Sequence, residues 1–232
     1  MLLPDLTGFL THHSDHYIFH YHPDSPAQRD ILAIAREQER CYARITREVG
    51  VTPDQPLRYI LCDSPRECVG FWRTLFDDAS YEELNGFADC PIAVYAVYND
   101  QIQCIGAHED AHMIASLLAQ PWEMFLTEGL AMYFDGVWWS EANELWVRRF
   151  LAQERYVPLR ELLDNDRFAA VPCEVSYPIA GAFTRYAIEA LGMERYLHGV
   201  YAAEEDAALC LERLLAKPLS AIEKDFLTWI QG

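Results

Sequence analysis

His108, Glu109, Asp110, Ala111 and His112 set two imidazoles four residues apart with a carboxylate beside the first. At about 3.6 residues per helical turn, positions 108 and 112 project from one face, so both rings can reach one cation while Glu109 turns toward whatever it holds. The chemistry this permits is metal-assisted hydrolysis. Zinc takes three protein ligands and keeps a further position for a water that loses a proton near neutral pH, with an adjacent carboxylate as general base. Glu128, sixteen residues past His112 in the segment Phe125-Leu126-Thr127-Glu128-Gly129-Leu130-Ala131, is the candidate third ligand. Glu123 and Asp135 are rival carboxylates about one and two turns away, without that surrounding sequence. The competing interpretation makes His108 and His112 core histidines, because Ala111, Ile114, Ala115, Leu117 and Leu118 make the segment apolar. A buried helix carrying two His and a Glu has polar groups to satisfy, and one cation backed by a carboxylate satisfies several together, which favours the metal.

The elements that must position these groups can be read from periodicity. Residues 16–22 alternate as a half-buried strand, and His20 and His22 on it lack the acidic or Cys partner that would make them ligands. Ser25 caps a helix with Pro26 at its first position. Its inner side is traced by Ile31, Ile34, Ala35, Gln38, Cys41, Tyr42, Ile45 and Val49 up to Gly50. Residues 57–62 read as a second strand, and Ser64-Pro65-Arg66-Glu67 as a capping box opening a short helix to about Trp72. The runs 92–98 and 101–105 around Asn99-Asp100 predict a hairpin. The motif helix is expected to end near Gln120, because Pro121 disfavours helical geometry before it. Helices are expected over about 121–134, 140–153, 178–191, 206–215 and 220–230, the last opened by a capping box of Ser220 and Glu223. Strands thus dominate early and helices late. The expectation is an α+β fold: one domain over 1–232, with a strand-containing part, 1–106, and a helical part, 107–232, the motif helix forming the wall between them above the cleft.

The chain has 232 residues, 51% hydrophobic and 23% charged, with 18 basic against 36 acidic residues and a formal charge of −18. That charge repels phosphate backbones and anionic lipid surfaces, so neither nucleic acid nor membrane is an expected partner. The first ten residues lack a basic n-region and are interrupted by Pro4 and Asp5, a poor export signal, and no run approaches a membrane span. Cys41, Cys62, Cys68, Cys90, Cys104, Cys173 and Cys210 are odd in number and never spaced as CxxC, which fits a reducing cytoplasm. Cys104, four residues before His108, is a potential redox-sensitive neighbour of the site.

Three blocks together resemble the gluzincin metallopeptidases, in particular the small peptidase MA-like proteins. They are 108–112; then Trp122-Glu123-Met124 running into the Glu128 segment; then Tyr177-Pro178-Ile179-Ala180-Gly181-Ala182-Phe183-Thr184-Arg185-Tyr186. The resemblance implies a zincin-like fold with His108, His112 and Glu128 holding Zn2+, Glu109 as base and Gly129 as the usual neighbour of the third ligand. It implies a peptide or protein substrate, and an oxyanion donor downstream, for which Tyr177 is the candidate and Tyr133 and Tyr186 the alternatives. By analogy, Gly86-Phe87-Ala88-Asp89 is the edge strand or loop that pairs with an extended substrate. Asp110 departs from the small or apolar residue often found there, which marks either a partner behind the ligands or a solvent-facing position. Glu82, Glu83, Asp89 or Glu123 could hold a substrate amine, and spacing does not choose among them. Two other readings compete: a catalytically silent gluzincin-like scaffold that binds zinc or a partner, and a metal-free helical interaction protein, suggested by Trp138, Trp139 and Trp146. Oligomeric state is left open.

Overall fold

The computed structural model describes residues 4–232; Met1–Leu3, part of the stretch read for an export signal, lie outside the described residues. Contacts divide the chain into two compact units, one ending at Leu117 and one starting at Leu118. The first contains β1 Leu10–His13, β2 Tyr17–Tyr21, α1 Pro26–Val49, β3 Leu57–Cys62, α2 Pro65–Phe76, β4 Gly86–Asp89, β5 Ala93–Val97 and α3 Ala107–Ala115. The second contains α4 Met124–Asp135, β6 Val137–Trp138, β7 Glu141–Ala142, α5 Asn143–Ala152, α6 Leu159–Leu162, α7 Asn165–Ala170, α8 Cys173–Leu191, α9 Met193–Tyr196, a π-helical segment Leu197–Tyr201, α10 Ala207–Leu215 and α11 Leu219–Gln231. The class is α+β, with a mixed sheet early and helices late. The motif helix α3 packs within the first unit, on α1, β4 and β5.

The sheet of the first unit runs β1-β2-β3-β5-β4, with β2, β3 and β5 parallel and the two edge strands antiparallel to their neighbours. Because strand side chains alternate, each face meets a different layer. Tyr17, Phe19 and Tyr59 turn to the face that α1 and α3 cover, with Tyr17 and Tyr59 rings 5.8 Å apart. Ile60, Cys62, Phe87, Tyr95 and Val97 form the opposite core with Cys68, Phe71 and Trp72 of α2. Phe87 stacks on Tyr95 at 4.6 Å across the β4–β5 pair. Each such large apolar side chain contributes about 1.5–3 kcal/mol on burial. The buried residues of α1 include all eight read from its spacing. Its ends are set as expected, by the Ser25 side chain accepting from Gln28 N and by Gly50 in the left-handed region at φ 80°.

Several expected boundaries move. The predicted hairpin reduces to a turn with one bridge, Tyr98 to Gln103, because β5 finds its partners in β3 and β4 instead. The helix after Ser64 continues to Phe76. The motif helix stops at Ala115, five residues before Gln120; the Ser116 hydroxyl bonds back to Met113 O, and Pro121 marked only the latest permissible end. In the second unit α4 starts at Met124 rather than Pro121, since the Asn165 side chain accepts from Met124 N and donates to Trp122 O, holding the preceding loop open. α8 begins five residues before Pro178, which therefore sits inside a helix without a donor for Glu174 O. Ser220 caps nothing: α11 begins at Leu219 after Pro218, and Glu223 instead accepts from Tyr156 Oη and Leu159 N.

Within the second unit, α4 and α8 form the most extensive helix pair. Small residues let them approach. A Cβ at Gly129 would stand 2.5 Å from Thr184 Oγ1 and 3.1 Å from Ala180 O, and one at Gly181 would stand 2.6 Å from the Met132 Cβ. The glycine after Glu128 therefore has a packing reason: α4 lies against α8 where even a methyl group does not fit. No helix among the described residues is long and apolar enough to cross a membrane.

Candidate metal centre

His108 and His112 lie one turn apart on α3, both half-buried. Their Nε2 atoms approach to 3.3 Å with the ring planes at 82°. For zinc–nitrogen bonds of about 2.0–2.1 Å, two nitrogens of a tetrahedral centre stand roughly 3.3 Å apart, so this spacing is the edge such a centre requires. Glu128 lies one turn into α4 and is also half-buried. One ligand atom from each of His108, His112 and Glu128 falls within 4.8 Å of the others. The donor set of two imidazoles and a carboxylate suits zinc. It is the only such group of three or more among the described residues, so His20 and His22 join no metal cluster. His22 instead bonds Glu67 at 2.6 Å.

Asp110 resolves its two alternatives: it is fully buried. It projects from α3 opposite the histidines, and three donors meet it: Tyr17 Oη at 2.6 Å, Tyr59 Oη at 2.8 Å and Gln38 Nε2 at 2.9 Å. Gln38 also brackets Gly106, the residue before α3, accepting from its N at 2.8 Å and donating to its O at 3.0 Å. Gly106 has φ 136°, which side-chain-bearing residues rarely adopt, so the sharp entry into α3 needs glycine. β2, β3 and α1 thus fix the position and rotation of the motif helix through its far face. Burial pushes the Asp110 carboxyl up to about 7 against the pull of the Tyr17 and Tyr59 hydrogen bonds, and the charge of Glu109 adds to the rise. The Tyr59 hydroxyl is raised well above its ordinary range by burial and by Asp110. Asp110→Ala is expected to lower the unfolding free energy by about 2–4 kcal/mol, because one or two of these buried donors lose their acceptor. A urea denaturation midpoint unchanged from the parent would contradict this.

Glu109, half-buried, turns toward the sheet edge: its Oε1 lies 3.1 Å from where a Cβ on Gly86 would stand. Residues 86–89 form β4, an edge strand of the sheet, with its first residue against Glu109. Val97 N donates to Asn85 O at 2.8 Å. In the alternation of an antiparallel ladder, the N–H and C=O groups of Gly86 and Ala88 then turn away from β5 toward the open edge. Asp89 faces the opposite core and is almost fully buried, its carboxyl raised by burial. Cys90 follows directly. Burial pushes its thiol up to about 11, Ser116 opposes the rise, and Glu109 adds to it. The expected sulfur neighbour was Cys104; the structure adds Cys90, whose proximity to Glu109 has no signal in the sequence because it depends on β4 lying beside α3. None of the seven cysteines is disulfide-bonded.

Glu82 and Glu83 are exposed on the first unit, and the tyrosine candidates and the rival carboxylates of Glu128 stand on the second. Tyr177, half-buried on α8, is stacked on Phe168 at 5.9 Å and meets Trp138 edge-on at 5.7 Å. Tyr133 meets Phe134 edge-on, while Tyr186 packs into the apolar cluster of Phe183, Phe226 and Trp229. Glu123 precedes α4 and accepts from Ala207 N at 3.1 Å, and Asp135 is the last residue of that helix. Trp139, exposed, caps the β6–β7 hairpin at φ 48° beside Ser140 at φ 69°, the paired left-handed geometry of a tight hairpin. Comparison of the chain with protein-family models and with curated proteins finds no match to either.

Proposed function

We propose that this chain is a zinc-dependent hydrolase of peptide or amide bonds, with a zincin-like fold and gluzincin-type chemistry. The observation that carries this is the approach of His108, His112 and Glu128 donor atoms to within 4.8 Å, with Glu109 following His108 on the same helix. Zinc bound there would supply a Lewis acid and bring the pKa of a water near neutrality.

Each residue then has a task. His108 and His112 offer imidazole nitrogens and Glu128 a carboxylate oxygen, three ligands of the four a zinc ion takes, so that a water could occupy the fourth position. Glu109 accepts the proton of the attacking water and returns it to the leaving amine. Gly86 and Ala88 offer outward N–H and C=O groups that an extended peptide can pair with as a further strand. A hydroxyl donor such as Tyr177 would stabilise the oxyanion. The intact thiols and the negative charge fit a reducing, cytoplasmic setting and a substrate other than nucleic acid.

The test is metal content joined to turnover. Chain purified from zinc-replete cells is expected to carry about one zinc, to cleave members of an unstructured peptide library, to lose that cleavage on chelation and to regain it with added zinc. Protein free of metal after such purification sinks the proposal. Full zinc occupancy with every peptide intact would favour the silent scaffold instead.

A further inference from the structure

We propose that Gly86 is a positioning residue for Glu109: the side chain it lacks is the space into which the Glu109 carboxylate turns. This rests on the assignment of Glu109 as the base. Gly86 is paired with Ala96 in ordinary strand backbone, outside the left-handed region that glycine alone tolerates well, so conformation does not demand glycine here. Glycine within a strand forgoes side-chain packing and costs backbone entropy, and its presence marks a place where something approaches the backbone closely. The structure supplies the approaching group. An added Cβ would stand 3.1 Å from Glu109 Oε1, 3.8 Å from its Cδ and 3.3 Å from Tyr95 O.

The two neighbours differ in their freedom to move. Tyr95 belongs to β5, held between β3 and β4, and its ring is fully buried against Phe87, so its carbonyl is fixed. Glu109 is half-buried and ends in a rotatable carboxylate. A side chain at position 86 presses on both, and the one of the two that ends a flexible side chain is the carboxylate, so the displacement falls on the group that must meet the water proton. The same packing explains why β4 can lie directly beside α3. The sheet edge offered to a substrate and the base that serves it are thereby placed in register by one missing methyl group.

Two readouts test this on the full-length chain. In the zinc-loaded protein, Gly86→Ala is expected to lower kcat about tenfold and Gly86→Val on the order of 100-fold, with KM within about twofold and zinc content unchanged, since sub-ångström misplacement of a catalytic group acts on turnover. Independently of activity, thermal melting of Gly86→Ala, Glu109→Ala and the double variant closes a cycle. Gly86→Ala is expected to cost more Tm with Glu109 present than after it has been shortened, with a difference between the two backgrounds of about 2–4 °C. Equal Tm shifts in both backgrounds, or full kcat in both Gly86 variants, overturn the proposal. A parent chain that cleaves no peptide defeats the hydrolase assignment alone; the melting cycle still decides whether Gly86 seats the carboxylate.

Discussion

Glu109→Gln is expected to lower kcat for peptide hydrolysis on the order of 10³-fold while leaving zinc content within about twofold of the parent. The amide has the size and shape of the carboxylate, so the contact at Gly86 survives and neither α3 nor β4 must shift. What is lost is the capacity to accept a proton. A general base contributes about 10²–10⁴ to such reactions, and the residual rate reflects the metal and substrate positioning that the variant retains. Single-turnover kinetics with saturating peptide, read beside metal analysis of the same sample, separates the two effects. A loss below about tenfold would remove Glu109 from the role of base and direct attention to another carboxylate.

His112→Ala carries the second large effect. One imidazole of the proposed three-residue ligand set disappears, while alanine, the best helix former, replaces it on a helix whose other face is anchored through Asp110. Changes merely behind a metal ligand cost about 10–100-fold in affinity, so loss of a ligand is expected to exceed about 100-fold. Competition against a chromophoric chelator measures this directly. A thermal signature accompanies it: zinc at 100 times the parent Kd stabilises the folded parent by about 2.7 kcal/mol through mass action, and that increment should vanish in the variant. Retained affinity would mean that His108 and Glu128 bind the cation with some third group other than His112.

How much of this was legible depended on whether the cause was local. Ser25, Pro26 and Gly50 bound α1 by rules acting within a turn, and its apolar spacing identified the buried side, including the polar Gln38. The histidine pair was legible for the same reason, four residues being one turn. Glu128 required a motif. The reason for the glycine beside it required α8, which supplies Thr184 and Ala180. The hairpin expected around Asn99-Asp100 forms only as a reversal with one bridge, because turn chemistry reports the reversal but does not say which strands extend the pairing; β5 lies between β3 and β4. Likewise the Ser220 capping pattern lost to Pro218 starting the helix earlier, and Glu223 was recruited from a distance by Tyr156 and Leu159. Asp110 shows the limit most clearly. Its neighbours in sequence suggested a choice between solvent and support, and only the arrival of Tyr17, Gln38 and Tyr59 from 93, 72 and 51 residues away decides for support.

That arrangement gives the motif helix two separable obligations. The side bearing the imidazoles carries the proposed metal ligands, and the side bearing Asp110 carries the hydrogen bonds that seat the helix, so mutations can reach either without the other. A chain that lost Asp110 while keeping both histidines would keep the ligand spacing on a helix with a weakened seat.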